Sequence, residues 1–459
     1  MYNPKLNFHF VGIGGAGMSG LAEILLRQDF KVSGSDINYG AACKRLAALG
    51  ANIYTSHEAN NITKETTAVV YSSAIPDSNP ELEKARELDI PIVPRAAVLA
   101  ELMRLKFGVA VAGSHGKTST SSLVASVLEE AELDPTVVIG GIVHKYGSTG
   151  KHGNSDYLVA EADESDRSFL LLSPTIAVVT NIDDEHMDCY GKTENIDSAF
   201  KQFLSSVPFY GLAVLCIDDL RVEKLSHEIT CRKVTYGVSN SEAKVRARLV
   251  KATPTVTSFE VINNDQVLGQ IDLPMLGKHF MQNALASVAV GLEFDVPFEK
   301  IQAALNSFQG VSRRIEVLAA NDDYTLINDY AHHPTEIKAT LEAVASAYKD
   351  EGRRLVVCYQ PHRYSRTRDC WQDFQSCFED ADKVFISDIY PAGEEPLPGI
   401  HSQILVDSMD GREARYIGAL DERAEELRAE LSPGDVVICM GAGSIGRFAT
   451  ENLQQKIFK

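Results

Sequence analysis

The residues best suited to chemistry form a short glycine-rich segment that ends in lysine, threonine and serine. The segment consists of Gly113, Ser114, His115, Gly116, Lys117, Thr118 and Ser119. It follows an apolar run and precedes a helical pattern, which predicts a strand, a loop and a helix in that order. Backbone N–H groups of such a loop bind phosphate, Lys117 can reach the β- and γ-phosphates, and the Thr118 hydroxyl can bind Mg²⁺. An exposed lysine on an ordinary turn is the alternative.

Two acidic segments offer the oxygen ligands that a nucleotide-bound metal ion needs. The first, at 161–166, reads Glu-Ala-Asp-Glu-Ser-Asp, and the second, at 181–186, reads Asn-Ile-Asp-Asp-Glu-His. Each follows a short apolar run, and ligands of parallel sheets bind at the carboxyl ends of strands. We therefore expect both segments to converge on the phosphate loop. Solvated surface loops are the alternative interpretation.

A second glycine-rich loop lies near the N-terminus. Residues Gly12–Gly17 match G-x-G-x-x-G between an apolar run and a helical pattern, and Asp36 follows about 20 residues later. This pattern indicates a diphosphate site with an acid placed for a ribose hydroxyl. A UDP group satisfies it as well as a nicotinamide cofactor does. A nicotinamide-dependent oxidoreductase is therefore an alternative, but it leaves the lysine-bearing loop unexplained.

Polar clusters follow two apolar runs in the last third of the chain. The first, at 328–335, reads Asn-Asp-Tyr-Ala-His-His-Pro-Thr, and the second, at 360–368, contains Arg363 and Arg366. These arginines lie three apart, so we expect them to share one face of a helical turn and to clamp a carboxylate or phosphoryl group. A solvated basic face is the alternative. A further glycine-rich segment, 441–446, predicts either a ligand loop or a tight strand-to-helix turn.

Short β-branched runs alternate with helical patterns, which predicts an α/β protein with parallel sheets. A chain of 459 residues has room for about three domains. We predict a Rossmann-like N-terminal domain at 1–106, a central P-loop ATPase-like α/β domain at 107–311 and a Rossmann-like C-terminal α/β domain at 312–459. Apolar runs between about 240 and 275 predict a small antiparallel sheet within the central domain.

Composition argues against several classes of function. The net charge of −19 disfavours nucleic acids and anionic membranes as partners, since both require a basic surface. No apolar run is long enough to predict a membrane span, and the first residues lack the layout of a signal peptide. Eight cysteines occur without a C-x-x-C pair. That usage predicts reduced thiols, a cytoplasmic location and no zinc site.

Together the motifs resemble those of the Mur ligases of peptidoglycan precursor synthesis, over essentially the whole chain. The shared segments are Gly12–Ser19, Gly113–Thr118, Glu161–Asp166, Asn181–Asp188, Gly277–Asn283, Ser312–Arg314, Asp329–Glu336 and Gln360–Asp369. Within that family, the chain is most similar to the members that add L-alanine to UDP-N-acetylmuramate. The murein peptide recycling ligases, which add a tripeptide, are the closest alternative.

The resemblance implies ligands for each segment. The UDP-sugar would contact Gly12, Gly14, Gly15, Ala16, Gly17, Met18, Ser19, Asp36, Ser72 and Ser73. ATP would contact the Gly113–Ser119 loop together with His279, Asn283, Arg314 and Asp329. Magnesium, as two ions that Mn²⁺ can replace, would be held by Thr118, Glu161 and His186. The amino acid would contact Tyr330, His332, His362, Arg363 and Arg366.

The implied reaction is ATP-dependent formation of an amide. The carboxylate of UDP-N-acetylmuramate would become an acyl phosphate, and the amine of L-alanine would attack it and release phosphate. The catalytic side chains would be Lys117, Glu161, His186, His332, Arg363 and Arg366. The expected state is a monomer or weak homodimer. A nucleotide-binding regulator without catalysis is a further alternative, and it would release no ADP.

Overall fold

The computed structural model describes residues 6–72, 74–409, 413–420 and 423–458. The chain divides into two compact units. The first contains Met1–Arg248, Glu260–Ile271 and Gln282–Gln309, and the second contains Leu249–Phe259, Asp272–Met281 and Gly310–Lys459. The predicted domain boundaries near 106 and 311 stay predictions. Among the described residues, none of the helices combines the length and apolar character that a bilayer span requires.

The N-terminal part is a five-stranded parallel sheet with order β3-β2-β1-β4-β5. Its strands are β1 (Asn7–Val11), β2 (Lys31–Ser35), β3 (Asn52–Tyr54), β4 (Ala68–Tyr71) and β5 (Ile92–Pro94). Its helices are α1 (Ala16–Arg27), α2 (Ala41–Ala48), α3 (Pro80–Glu87) and α4 (Arg95–Arg104). Helix α3 begins where the sequence directs it, because Pro80 occupies its first position and the Asn79 side chain accepts the Glu81 N–H.

The central sheet has ten strands in the order β15-β14-β13-β12-β11-β10-β6-β9-β7-β8. In chain order, its first five strands are β6 (Phe107–Ala112), β7 (Thr136–Val143), β8 (Ser148–Lys151), β9 (Tyr157–Glu161) and β10 (Ile176–Val179). The others are β11 (Leu212–Cys216), β12 (Lys233–Gly237), β13 (Val245–Ala252), β14 (Thr257–Asn263) and β15 (Gln266–Leu273). Strands β10 and β11 are buried throughout, as expected of parallel strands covered on both faces.

Helices connect these strands. They are α5 (Lys117–Glu130), α6 (Met187–Tyr190), α7 (Thr193–Ser205), α8 (Leu220–Glu228), α9 (Lys278–Glu293) and α10 (Phe298–Asn306). Strand β12 pairs in parallel with β13, so the three strands predicted near 240–275 continue the central sheet. Strands β7 and β8 form an antiparallel hairpin at the other end of the sheet, and no sequence pattern predicted that hairpin.

The C-terminal sheet has six strands in the order β16-β17-β21-β18-β19-β20. They are β16 (Glu316–Ala320), β17 (Thr325–Asp329), β18 (Leu355–Tyr359), β19 (Lys383–Ser387), β20 (Ala414–Gly418) and β21 (Val436–Met440). The helices are α11 (Pro334–Tyr348), α12 (Tyr364–Asp369), α13 (Trp371–Phe374), α14 (Ser402–Asp407), α15 (Ala424–Ala429), α16 (Ile445–Phe448) and α17 (Gln454–Ile457). Only β16, among the described strands here, runs antiparallel to its neighbour. The prediction of three α/β domains with mainly parallel sheets is confirmed.

Candidate active site

The phosphate loop follows β6 and leads directly into α5, as the sequence predicts. Gly113 and Gly116 have φ values of 139° and 81°, which favour glycine. A Cβ at Gly113 would lie 2.0 Å from Thr180 Oγ1, and one at Gly116 would lie 2.8 Å from Asn283 Oδ1. The loop therefore requires glycine at both positions. Asn283, predicted to contact ATP, lies beside the loop within the first compact unit.

Lys117, at the start of α5, points back into its own loop. Its Nζ donates to the carbonyl oxygens of Gly113 and Ser114 at 2.7 and 3.0 Å and pairs with the Glu164 carboxylate at 2.8 Å. Burial disfavours the charge on Lys117, but Glu164, Asp163 and Glu161 outweigh burial and raise its pKa. Burial raises the pKa of Glu164 to about 8, although Lys117 acts in the opposite direction. Lys117 is therefore the fixed cation of the loop.

Glu161 ends β9 and receives two hydrogen bonds from groups far away in the sequence. Thr118 Oγ1 donates to its Oε1 at 3.2 Å, and the Gly140 N–H of β7 donates to its Oε2 at 2.7 Å. The structure thus brings together Thr118 and Glu161, two of the predicted magnesium ligands. A hydroxyl and a carboxylate are hard oxygen donors of the kind Mg²⁺ prefers.

His186 lies beside two carboxylates that were not among the predicted magnesium ligands. Ligand atoms of Glu164, Glu185 and His186 all lie within 4.8 Å of one another, close enough to share a metal ion. His186 Nε2 is 3.8 Å from Glu164 Oε1 and 3.9 Å from Glu185 Oε2. Both carboxylates belong to the two predicted acidic segments, but neither was singled out as a ligand. The donor set at this edge of the sheet suits a divalent cation.

The second acidic segment also holds the phosphate loop in place. The His115 N–H donates to Asn181 Oδ1 at 2.8 Å, and His115 Nε2 lies 2.9 Å from Asp183 Oδ2. Thr180 Oγ1 donates to the His115 carbonyl at 2.6 Å, and the Asp183 N–H donates to Ser114 Oγ at 2.8 Å. The two acidic segments therefore converge on the phosphate loop, as their positions after parallel strands predict.

The N-terminal glycine-rich loop lies at the carboxyl edge of the first sheet. The N–H groups of Gly12 and Ile13 donate to the Ser35 carbonyl at 2.8 and 3.0 Å. Asp36 Oδ2 accepts the Gly14 N–H at 2.8 Å, and Asp36 Oδ1 accepts the Asn38 N–H at 2.9 Å. Asp36, the predicted ribose ligand, therefore also fixes the loop. The predicted UDP-sugar contacts in the loop and at the start of α1 are Gly15, Ala16, Gly17, Met18 and Ser19.

The remaining predicted UDP-sugar residues follow β4. Ser72 directly follows this strand and is partly exposed at the same carboxyl edge. Ser73 lies outside the described residues. Arg95 follows β5 at the same edge, and its Nη2 lies 3.7 Å from Asp163 Oδ2 in the first acidic segment. Arg95 was missed because a single arginine after an apolar run carries no recognisable motif.

The β7–β8 hairpin joins the neighbourhoods of the two glycine-rich loops. Gly140 on β7 holds Glu161, and Thr149 Oγ1 on β8 donates to the Ala16 carbonyl at 2.8 Å. A Cβ at Gly20 would lie 3.0 Å from Thr149 Oγ1, so helix α1 packs closely against this strand. The candidate nucleotide loop and the candidate UDP-sugar loop therefore share a support within the first compact unit.

In the second compact unit, Asp329 uses both carboxylate oxygens within the protein. Oδ2 accepts the Ile315 N–H at 2.6 Å, and Oδ1 accepts the Ala331 N–H at 2.8 Å. Burial raises the pKa of Asp329. The Arg314 guanidinium lies 5.1 Å from the ring centroid of Tyr330, a cation–π contact. Asp329 therefore links the segments at 313–315 and 329–331 through hydrogen bonds.

Two of the predicted amino-acid contacts in this unit are histidines that lie close together. The rings of His332 and His362 lie 5.8 Å apart, and Arg366 Nη1 lies 3.2 Å from His362 Nδ1. Burial, together with the charges of His332 and nearby arginines, lowers the pKa of His362 to about 3. His362 is therefore neutral near pH 7. The structure brings His332, His362 and Arg366 together.

Arg363 corrects one expectation. Its φ of 71° and ψ of 140° lie outside the helical region, and α12 begins only at Tyr364. The Arg363 N–H donates to the Tyr390 carbonyl at 2.9 Å, which holds the backbone in this non-helical conformation. Arg363 and Arg366 therefore do not share a helical face, and the three-residue spacing was wrong as a guide to their geometry.

The glycine-rich segment at 441–446 packs against its own unit. Gln360 Oε1 accepts the Ile445 N–H at 3.0 Å, and an Arg313 guanidinium nitrogen donates to the Gly441 carbonyl. A Cβ at Gly443 would lie 2.5 Å from Gln360 Oε1. Of the two interpretations left open by the sequence, these contacts favour the tight strand-to-helix turn.

Comparisons with known families and proteins cover nearly the whole chain. The family model described as "Mur ligase family, catalytic domain" matches residues 7–107. The model "Mur ligase middle domain" matches 111–291, and the model "Mur ligase, glutamate ligase domain" matches 313–443. Family models therefore account for segments of both compact units.

Curated relatives and solved structures agree with these matches. The chain is 49% identical to the UDP-N-acetylmuramate–L-alanine ligase of Desulfatibacillum aliphaticivorans, over 97% of this chain and 98% of that protein. It is 50% identical to the enzyme of the same name from Sorangium cellulosum, over 95% and 93%. The crystal structure of UDP-N-acetylmuramate-alanine ligase MurC from Thermotoga maritima matches with a TM-score of 0.82 at 28% identity, covering 98% and 99%. A murein peptide ligase from Psychrobacter arcticus matches in fold, with a TM-score of 0.72 at 22% identity, covering 98% of each chain. The chain belongs to the Mur ligase family.

Proposed function

We propose that this protein joins L-alanine to the carboxylate of UDP-N-acetylmuramate, with conversion of ATP to ADP and phosphate. The observation that carries the proposal is the convergence of Lys117, Glu161 and His186 at one sheet edge, in the same compact unit as a diphosphate-type loop. The relatives at 49% and 50% identity, both named as L-alanine ligases, support this substrate assignment. A nicotinamide-dependent oxidoreductase would account for the N-terminal glycine-rich loop but not for the lysine-bearing loop.

The first proposed step is attack of the muramoyl carboxylate on the γ-phosphate of ATP. Lys117 carries a fixed positive charge, and its Nζ lies beside the loop carbonyls of Gly113 and Ser114, where a phosphate would bind. Charge on the transferring phosphoryl group is stabilised there with little rearrangement, which is the main catalytic requirement of phosphoryl transfer. ADP leaves, and the carboxylate becomes an acyl phosphate.

Magnesium would be held at the same edge. Thr118 and Glu161 supply one pair of hard oxygen donors, and Glu164, Glu185 and His186 form a second group of possible ligands. When bound, Mg²⁺ would neutralise phosphate charge during the transfer. We propose two ions, with Mn²⁺ able to replace them, because two separate donor groups are present.

The second proposed step is attack of the neutral amine of L-alanine on the acyl phosphate, with loss of phosphate. We propose that Tyr330, His332, His362, Arg363 and Arg366 bind the amino acid, whose carboxylate would pair with an arginine. His362 is neutral near pH 7 and adds no charge to this cluster. Arg314, Asp329 and His279 remain proposed ATP contacts, and a monomer or weak homodimer is the proposed state.

The acceptor substrate distinguishes this function from its nearest rival. With UDP-N-acetylmuramate and ATP present, phosphate release is measured with L-alanine and with L-Ala-D-Glu-diaminopimelate. We expect a higher kcat/KM with L-alanine. Faster turnover with the tripeptide would instead assign the chain to murein peptide recycling, and no turnover with either acceptor would contradict ligase activity.

A further inference from the structure

Arg95 completes a regular pattern at the carboxyl edge of the first sheet. Gly12, Asp36, Ser72 and Arg95 each occupy the first position after their strand, namely β1, β2, β4 and β5. Ligands of open parallel sheets bind at this edge. The first three positions are already proposed UDP-sugar contacts, and Arg95 is the cation of the series.

The Arg95 side chain lies against the glycine-rich loop. A Cβ at Gly17 would lie 3.0 Å from Arg95 Cδ and 3.3 Å from its Cζ, so the guanidinium covers the first turn of α1. The loop from Gly12 to Ser19 contains no basic residue, and the basic residue of α1 is Arg27 in its last turn. Arg95 therefore places a positive charge against a loop that carries none of its own.

The hydrogen-bond donors of the Arg95 guanidinium have no acceptor among the residues that the structure describes. Its side chain is 20% exposed, and within the described part of the chain it makes no hydrogen bond. Asp163 Oδ2 lies 3.7 Å from Nη2, which balances charge but exceeds hydrogen-bond length. Arg95 is also the first residue of α4, where the helix dipole disfavours a cation. The ion pair with Asp163 therefore leaves the hydrogen-bond donors of the guanidinium available to an anionic ligand.

We propose that Arg95 binds the diphosphate of the UDP-sugar through charge-assisted hydrogen bonds. This assignment rests on the proposed function and adds a residue to its UDP-sugar site. The planar guanidinium can donate two parallel hydrogen bonds to phosphate oxygens. Asp163, next to the magnesium-type carboxylates, faces the same guanidinium from the central sheet.

Calorimetric titration of Arg95→Ala and Arg95→Lys with UDP, UDP-N-acetylmuramate and ATP tests the proposal. We expect Arg95→Ala to lower the affinity for UDP and for UDP-N-acetylmuramate alike, by about 10- to 100-fold, because each complex loses charge-assisted hydrogen bonds. Arg95→Lys should lose less of this affinity, since lysine keeps the charge but not the planar guanidinium. ATP affinity should be unchanged. The matched control is Arg104→Ala, at the other end of the same helix, with a side chain that is 70% exposed.

Three results would overturn the assignment. Unchanged UDP affinity in Arg95→Ala would show that the guanidinium does not contact the diphosphate. Loss confined to UDP-N-acetylmuramate would point to the muramoyl carboxylate instead. Equal loss of ATP affinity would indicate a structural role. Failure of the proposed function is seen separately, as a wild-type protein that binds UDP but releases no phosphate with the full substrate mixture.

Discussion

At the scale of single residues, we propose that phosphoryl transfer depends on Lys117. The loop Gly113–Ser119 contains no other lysine or arginine, so no neighbour in the loop can replace its charge. We predict that Lys117→Ala lowers kcat at least about 100-fold, as expected for loss of a preorganised charge at the transferring group. Binding of UDP-N-acetylmuramate should be retained. Phosphate release and calorimetry measure the two effects.

The control for this substitution is Lys145→Ala. Lys145 also pairs with a glutamate, Glu129, but its side chain is 48% exposed and lies outside the phosphate loop. We expect the Lys145→Ala variant to turn over its substrates at the wild-type rate. If Lys117→Ala lost both turnover and the binding of UDP-N-acetylmuramate, the assignment of the Gly113–Ser119 loop to ATP would be wrong.

We predict that His279 makes the stability of the second compact unit dependent on pH. Burial, together with the charge of Arg314, lowers the pKa of His279 to about 4, below its ordinary value of about 6.5. Between these values the unfolded chain takes up a proton that the folded chain does not. The free energy of unfolding therefore falls as pH drops from about 7 to 5, by about 1–2 kcal/mol from this group. His279→Gln should remove this contribution to the pH-dependent loss of stability.

The single tryptophan, Trp371, reports on this unit, because both it and His279 belong to it. Its fluorescence during urea unfolding gives the midpoints of wild type and variant at about pH 7.5 and pH 5. The exposed His401, in the same unit, provides the control variant His401→Gln. An equal loss of stability in wild type and His279→Gln would refute the prediction.

Sequence motifs revealed the residues whose neighbours are local in the chain. Lys117 and Thr118 follow a glycine-rich loop at fixed spacing, which is why the pattern indicates phosphate binding. The pairing of Lys117 with Glu164 and of Glu161 with the Gly140 N–H has no such spacing. These contacts depend on strand order, and a backbone donor has no side-chain signature at all.

At the scale of elements, the β7–β8 hairpin supports both glycine-rich loops. Thr149→Val removes the hydrogen bond to the Ala16 carbonyl while keeping the side-chain shape. We predict that KM for UDP-N-acetylmuramate rises about 5-fold, the effect of losing roughly 1 kcal/mol of hydrogen bonding. KM for ATP should stay unchanged. Initial-rate kinetics with each substrate varied in turn measure both constants.

The matched control is Thr230→Val, since Thr230 is exposed in the same compact unit and lies after helix α8, away from both loops. Its kinetic constants should equal those of the wild type. An unchanged KM for UDP-N-acetylmuramate in Thr149→Val would show that the hairpin does not position the loop. A rise in KM for ATP of the same size would show that the contact acts on the whole unit.

The type and place of most strands flanking the site could be predicted, because β-branched runs end in glycine or acidic residues. The strand expected directly before the phosphate loop is found there as β6. The hairpin was missed, since β8 consists of Ser-Thr-Gly-Lys and has no apolar alternation. The conformation of Arg363 was missed because its φ of 71° follows from a hydrogen bond to Tyr390, distant in sequence.

At the scale of the whole molecule, alternating strands and helices were sufficient to predict the fold class. Three mainly parallel sheets follow from that alternation, and their strand orders do not, because crossovers depend on packing between distant segments. Site residues from the first and second acidic segments converge only once this strand order is fixed. The proposed ligand roles of individual side chains remain predictions.

A phosphate-release assay with each substrate omitted in turn tests the central claim most directly. The wild-type protein is supplied with ATP, Mg²⁺, UDP-N-acetylmuramate and L-alanine. We predict sustained release of one phosphate per amide formed with the full mixture, and no sustained release when UDP-N-acetylmuramate, L-alanine or ATP is left out. Equal phosphate release without UDP-N-acetylmuramate or without L-alanine would contradict the account.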